Sequence, residues 1–399
     1  MYFPSERTRA EMDVSQGGLW LDQANTCLLV TKLPTHLIKA IRGGAKACLV
    51  VSAVTIDGST VRCVGLRISD DPTKPVTVFR THRAADEHRA FAELLREDVV
   101  DCHFFDELSR HVLYSRCRLE VPAKNRLTDS LRGASHYVGD ANQATEAALD
   151  TFQKILSLPL GSDPGPLTRV VPLEFVTHTP TRIYAIGSGR FILDEDEGGG
   201  LEQSAHQLME YLFPASSYRS PLVEHGGVYR ELTDSLATCN GGLCLLETKA
   251  LSVFNTDPAR STERRARQIR KAIDKGLSQL RGAVRKIRSS AIIRSNKQPY
   301  VDVFAPDAPI LIQDRATALV NGIVLISDMH AGIDWKELAE VITSDTTDRA
   351  LLHVMDLHEW RTLVGHCKTP DLLMLNLARR WTVVKEGQTA LVRSRRPPI

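Results

Sequence analysis

Asp234, Glu247 and Lys249 flank the turn Asn240-Gly241 at spacings that bring two carboxylates and an ammonium onto one face of a β-hairpin. Two apolar runs, Tyr229 to Thr238 and Leu243 to Val253, surround Asn-Gly, a strong hairpin signal because both central residues of a type I′ turn need φ > 0. If Asn240 and Gly241 form the loop, Asp234 lies across from Glu247. If Gly241 and Gly242 form it, Asp234 faces Lys249. The two registers differ by an even step, so the same face carries all three residues in either case.

Facing carboxylates about 5 Å apart repel by about 3 kcal/mol at an effective dielectric of 20. Lys249 relieves part of this. A divalent cation that prefers hard oxygen relieves more, and Mg²⁺ is commonly held by one or two carboxylates plus substrate phosphates. The plainer alternative is that one of the three side chains simply points into water.

Asp234, a hairpin gap, then Glu247-Thr248-Lys249 resembles the D…ExK signature of the PD-(D/E)XK nuclease superfamily. The wider strings Arg230-Glu231-Leu232-Thr233-Asp234 and Leu245-Leu246-Glu247-Thr248-Lys249-Ala250 are similar to those of its uncharacterised bacterial members. Thr233 stands where the family name has proline, which many members also lack. The resemblance covers about half the chain and implies a restriction-endonuclease-like core running helix, three-stranded meander, helix, strand. Matching segments occur in that order: a helix Leu201 to Phe213 after Gly198-Gly199-Gly200, the hairpin, a long helix from about Glu263 to Arg288, and an apolar strand Tyr300 to Phe304. The resemblance further implies Mg²⁺ or Mn²⁺ held by Asp234, Glu247 and Glu202, the last on the first helix. It also gives Gln279, in Gln279-Leu280-Arg281-Gly282-Ala283, a role in ordering the lysine or a phosphate.

The long helix can be read on its own. Ile269, Ala272, Ile273, Leu280, Ala283, Val284 and Ile287 recur at mostly three- and four-residue steps and make one buried stripe. Around it the charge is lopsided: residues 259–300 hold 13 Lys and Arg against two acidic residues, +11, while the rest of the chain has 37 basic and 46 acidic residues, −9. A nearly neutral protein thus gathers its positive charge beside the candidate site. Such a patch suits a phosphate backbone, with Arg264, Arg267, Lys271, Lys275, Arg281 and Arg285 as the expected contacts. A merely solvated helix face is the alternative, although such faces usually mix signs for i,i+4 pairing.

With 399 residues, 43% hydrophobic and 25% charged, the chain has an ordinary globular composition and room for several domains. No apolar run is long enough to span a membrane and the start, Met1 to Arg7, lacks an apolar signal region, so a cytoplasmic location is expected. Eight cysteines without C-x-x-C or Cys/His zinc spacing read as reduced core residues. The first third is β-rich: Cys27 to Thr31, Ala47 to Ile56 and Ser59 to Ile68 read as strands, the last two joined at Asp57-Gly58, and Ala84 to Leu95 as a helix. His82, His88, Asp106-Glu107 and Arg110-His111 are taken as structural or solvated. Ala318 to Ser327 and Ala350 to Met355 are strand-like near the carboxy terminus. Trp335 to Ile342, Leu357 to Val364 and Pro370 to Arg380 are helix-like, the last capped by Thr369.

The fold expected is therefore a multidomain α/β and α+β protein. Residues 1–125 form a β-rich α+β domain, 126–185 a helical connector and 186–399 a nuclease-like domain. No Walker loop, dinucleotide fingerprint, nucleophile elbow or zinc-peptidase helix is present. The function expected is metal-dependent hydrolysis of nucleic acid, DNA rather than RNA, with a homo-oligomer or a defence-system protein as partner by analogy with bacterial relatives of such nucleases. Two other readings are a catalytically silent nucleic-acid-binding scaffold and a carboxylate-metal phosphohydrolase of nucleotides. An extended +11 surface exceeds what a nucleotide needs.

Overall fold

The computed structural model describes residues 2–23, 27–69, 75–94, 96–119, 134–156, 168–185, 188–191, 197–225, 227–240, 242–250, 262–289, 291–296, 300–305, 308, 312, 314–326, 333–344, 350–390 and 392. The chain forms two compact units, one gathering Met1–Glu195 and the other Asp196–Ser252 with Glu263–Ile399. Among the described residues no helix is long and apolar enough to cross a membrane.

The first unit begins with helix α1 (Glu6–Val14), and α2 (Thr35–Arg42), α3 (Ala85–Leu94) and α4 (Ala141–Leu156) punctuate its strands. Its sheet orders β1 (Gly18–Gln23), β2 (Cys27–Lys32), β6 (Val99–Phe105), β7 (His111–Leu119), β8 (Thr168–Pro180), β3 (Lys46–Ile56), β4 (Ser59–Ser69) and β5 (Val76–Thr81). All these pairings are antiparallel except β2 with β6. The first and last strands of that order, β1 and β5, also touch, which gives a barrel-like sheet around one apolar core. Asp57 and Gly58 both have positive φ, 50° and 75°, as the expected β3–β4 turn requires. A separate hairpin, β9 (Arg182–Ala185) with β10 (Ser188–Phe191), follows.

The described parts of residues 126–185 belong to this unit and not to a connector: Phe152 and Ile155 of α4 are buried in a second apolar cluster with Val50, Val54 and Val61, and β8 pairs with both β7 and β3. The histidines and acids set aside in the sequence are structural: His82 is buried edge-on to Phe91, Asp106 accepts from Arg110, and Glu107 accepts from the backbone N–H of Thr35 at 2.6 Å. None of the eight cysteines forms a disulfide, and all are buried.

The second unit runs α5 (Glu197–Leu212), β11 (Ser217–Arg219), β12 (Leu222–His225), β13 (Val228–Glu231), β14 (Ser235–Cys239), β15 (Gly242–Lys249), α6 (Thr262–Arg288), β16 (Ile293–Arg294), β17 (Val320–Ile326), α7 (Trp335–Thr343), β18 (Ala350–Asp356), α8 (Leu357–Cys367) and α9 (Pro370–Gly387). Its main sheet has the order β11-β14-β15-β17-β18, antiparallel up to β15 and parallel from β15 to β18. A small sheet, β13-β12-β16, stands apart. Helix α6 makes the crossover between the parallel strands β15 and β17, and its stripe Ile269, Ile273, Leu277, Leu280, Val284 and Ile287 is fully buried with Leu243, Leu245, Val320 and Val324 of the sheet. Gly276 permits the close approach: a Cβ there would come within 2.8 Å of Val324 Cγ1. On the other face, Trp360 of α8 donates to the Ala205 carbonyl of α5 at 3.2 Å, and His206 of α5 meets Ser235 at 3.0 Å.

Three sequence expectations need correction here. The run Tyr229 to Thr238 is not one strand. Leu232 N–H donates to Pro221 O and Ser220 N–H to Asp234 O, so the chain leaves the small sheet at Glu231 and enters the main sheet at Ser235. Tyr300 to Phe304 is not a core strand. The Asp302 carboxylate accepts from Phe304 N–H at 2.9 Å and turns the chain, leaving a single bridge from Asp302 to Arg294. The strand that follows α6 in the main sheet is β17, buried throughout as a parallel strand covered on both faces must be. The glycines 198–200 lie within α5, not before it. The carboxy-terminal elements fall as expected, with Thr369 capping α9 through Leu372 N–H.

A polar layer is buried against β17 and β18. His353 Nε2 meets Asn321 Oδ1 at 3.1 Å while His353 Nδ1 has no partner among the described residues, and Glu359 pairs with Arg380 at 3.0 Å. Burial, followed by the Arg380 charge, pushes the His353 pKa down to about 3. The imidazole is therefore neutral in the fold, whereas the unfolded chain takes up the proton near 6.5. Its contribution to stability is complete above pH 6.5 and is lost as pH falls from there toward 3. His353→Gln should flatten that acid limb in denaturant unfolding measured from pH 7 to 4; an unchanged slope would mean the ring does not titrate with folding.

Candidate active site

The register of the hairpin is fixed by Cys239 pairing with Gly242 and Ser235 with Leu246, which sets Asp234, one residue before β14, opposite Glu247. Of the two registers compatible with the sequence, the first forms. Gly242, the first residue of β15, has a φ of 131°, and a Cβ there would lie 2.1 Å from the Leu319 carbonyl oxygen, so only glycine fits beside the chain entering β17. Gly241 lies outside the described residues.

Glu247 sits near the end of the central strand β15, with Val324 of β17 at its other side, and is only 2% exposed. Lys249 Nζ donates to its carboxylate and, at 3.1 Å, to the Thr248 carbonyl. Thr233 Oγ1 donates to Leu246 O at 2.7 Å and lies 3.4 Å from the second Glu247 oxygen. Asp234 accepts from both the backbone N–H and the hydroxyl of Thr248, at 2.5 and 2.6 Å. Burial, and next the charge of Asp234, raise the Glu247 pKa above the usual carboxylate range, against the lowering effect of Lys249. The charges of Asp234 and Lys249 thus both act on Glu247, but the described hydrogen bonds of the Asp234 carboxylate run to Thr248, a residue of the alternate strand parity, and not to Glu247 or Lys249.

Glu202 is on α5 but faces other partners. Its carboxylate accepts from Arg219 Nε at 3.3 Å and from Ser220 Oγ at 3.4 Å. Among the described residues no three His, Cys, Asp or Glu side chains form a group that could hold a metal ion, so Asp234, Glu247 and Glu202 are not assembled as one ligand set. Glu231, at the end of β13, is an acid that the sequence did not single out. Burial and the charge of Asp234 raise its pKa, with a smaller contribution from Glu202, while Ser220 and Lys249 act to lower it. Only the break between β13 and β14 brings it there, and nothing in the local spacing announces that break.

The direction of α6 divides the basic patch. Gly276 lies against Val324 and Leu280 against Gly322, so the helix advances as the strand recedes. Val324 is level with Glu247 and Ile326 with Lys249. At about 1.5 Å per helical residue and 3.3 Å per strand residue, Lys271 is level with Lys249, and Arg264 and Arg267 project roughly 6–11 Å beyond the strand end. These three and Lys275 are exposed. Arg285 lies about 14 Å back toward the opposite edge of the sheet. Arg281 is half-buried and donates to the Val341 carbonyl at 2.9 Å, which ties it to α7. Gln279 is exposed, off the stripe that packs on the sheet, so it does not reach the sheet beside Lys249. At the site end, an open cleft of about 340 Å³ between the first turns of α6 and α7 is lined by Arg267, Arg270, Glu263, Asp334 and Glu337 over Ala266 and Ile333. Arg270 is held there by Asp274 and Glu337 at 3.0 and 3.1 Å.

Comparison of the chain with protein-family models, with curated proteins and with solved structures found no match.

Proposed function

We propose that the second unit is a metal-dependent phosphodiesterase acting on nucleic acid, built on a restriction-endonuclease-like arrangement of α5, the β11-β14-β15 meander, α6 and β17. The observation that carries this reading is Glu247. A carboxylate 2% exposed, acted on by the charge of a second carboxylate and paired with a lysine two residues on, is an expensive arrangement for a hairpin end with no chemical task. It occurs where the exposed basic half of α6 begins.

The donor set suits a hard divalent cation, Mg²⁺ or Mn²⁺. Two oxygen-bearing side chains repel each other here, and such ions are content with one or two carboxylates, the remaining positions being filled by water and phosphate oxygens. Asp234 and Glu247 would hold the ion, which when bound supplies Lewis acidity toward a phosphoryl oxygen and an activated water. Lys249 stabilises charge developing on the scissile phosphate as a compact ammonium. Thr248 holds Asp234 in place through its N–H and hydroxyl. Arg264, Arg267, Lys271 and Lys275 take the flanking phosphates. Cleavage of plasmid, linear duplex, single strands or RNA in the presence of Mg²⁺ or Mn²⁺, abolished by EDTA, tests the proposal and separates DNA from RNA.

A specific observation favours a second reading, a nucleic-acid-binding scaffold: Glu247 and Lys249 already satisfy each other, and among the described residues no third ligand joins them and Asp234. A scaffold would bind polymer without cleaving it and would tolerate loss of Lys249. In either case binding should be electrostatic, with log K falling against log salt by about 0.9 per contacted phosphate of duplex. Reversing Arg264, Arg267 and Lys271 to Glu should weaken binding to all sequences alike and flatten that slope by about 3. Reversing Arg285 should do far less. Equal effects from the two ends of α6 would mean that the track does not follow the strand end. By the same family analogy, assembly with a second copy or with a defence-system protein is part of this proposal.

A further inference from the structure

We infer that Lys249 is a built-in competitor for the cation site, holding Glu247 neutralised until a divalent ion displaces it. This rests on the proposed reading of Asp234 and Glu247 as cation ligands and adds a rule for how the site is loaded.

Glu247 is buried, and an isolated buried carboxylate is strongly disfavoured. Among the described residues its surroundings offer little besides Lys249. The neighbouring Thr233 hydroxyl has a single proton, and the 2.7 Å bond to the Leu246 carbonyl uses it, which leaves the 3.4 Å approach to Glu247 without a donor. The charge of Asp234 adds repulsion. Lys249 is thus the cation that makes the buried carboxylate tolerable. Its second described bond, to the Thr248 carbonyl, keeps the ammonium folded back along its own strand.

The same ammonium cannot serve two purposes at once. While Nζ sits on a Glu247 oxygen it blocks that oxygen for a metal and is turned back toward the carboxylate that an incoming phosphate would avoid. A divalent ion between Asp234 and Glu247 neutralises both carboxylates, and its charge repels the ammonium. Lys249 is 15% exposed and has a flexible stem, so it can swing outward, toward the side where Lys271 and Arg267 stand. Ion binding and release of the lysine are then one event, and linkage makes them reciprocal: whatever removes the ammonium strengthens ion binding.

The test is direct. Mn²⁺ affinity is measured by calorimetry for the full chain and for Lys249→Met and Lys249→Gln, two variants of similar length that lack the charge. We expect both to bind Mn²⁺ about ten-fold more tightly or better, because the competing unit charge has been removed from contact with the ligand. In parallel, amine acetylation of the wild-type protein is read at Lys249 by mass spectrometry, and it should rise several-fold when Mg²⁺ is added. Wild-type protein that binds Mn²⁺ while neither variant binds it more tightly would overturn the inference and leave the proposed function standing. So would acetylation of Lys249 that stays flat or falls with Mg²⁺. Absence of ion binding in all three proteins would overturn the inference together with the metal-dependent reading.

Discussion

Replacing Glu247 by Gln, or Lys249 by Ala, should abolish metal-dependent cleavage while leaving nucleic-acid binding intact. The two variants act on different parts of one site. Glu247→Gln keeps the volume of a side chain that is 2% exposed, so packing against β17 survives, but it removes the charge that opposes Asp234 and attracts a cation. Lys249→Ala removes the point charge beside the scissile phosphate, and loss of one electrostatic stabiliser of this kind typically lowers the rate on the order of 10²–10³-fold. Binding should persist in both, because Arg264, Arg267 and Lys271 sit on a separate helix. The informative measurements are single-turnover cleavage of a labelled duplex and, on the same preparations, binding by fluorescence anisotropy in EDTA. Cleavage that persists in both variants would place the chemistry elsewhere. A wild-type protein that cleaves no polymer with any divalent metal, candidate partners included, would favour the scaffold.

The second large effect concerns stability. Glu359 and Arg380 are 1% and 5% exposed and pair at 3.0 Å, and Arg380 also reaches the Val354 carbonyl at 3.3 Å. Removing one member of such a pair leaves an uncompensated charge in the interior, so Glu359→Ala should destabilise the second unit by about 3–5 kcal/mol. Removing both charges with conserved volume, as in Glu359→Leu with Arg380→Met, should recover most of that loss, since a buried ion pair is worth little against well-packed apolar side chains. Urea unfolding followed by tryptophan fluorescence reads both, Trp360 being buried one residue from Glu359. A single-variant loss below about 1 kcal/mol would mean that water reaches Arg380 when its partner is gone.

The sequence by itself determined what depends on neighbours along the chain. The parity of β15 put Glu247 and Lys249 on one face, where they pair, because side-chain direction alternates with a fixed period of two; Asp234, which precedes β14, bonds Thr248 instead. The stripe Ile269 to Ile287 determined which side of α6 packs on the sheet, and Thr369 determined where α9 starts. Local hydrogen bonding and periodicity decide such features, and both are written in consecutive residues.

Tertiary structure alone decided the rest, because the deciding partner is distant in sequence. Which of the two hairpin registers forms is seen only in the strand pairing, Cys239 with Gly242, and the demand for glycine at 242 comes from the distant Leu319 carbonyl. The break at Leu232 to Asp234 depends on bonds to Pro221 and Ser220, and it is this break that brings Glu231 beside the site. Glu202 lies on the expected helix but is taken up by Arg219 and Ser220. The identity of the strand following α6 turned on which apolar run had a parallel neighbour on each side, β17 and not Tyr300 to Phe304. Finally, the thirteen basic residues of 259–300 read as one patch in sequence. The antiparallel course of α6 over β17 separates the ten that α6 carries into a half that borders Lys249 and a half that points to the far edge of the sheet, where Arg281 is held by α7.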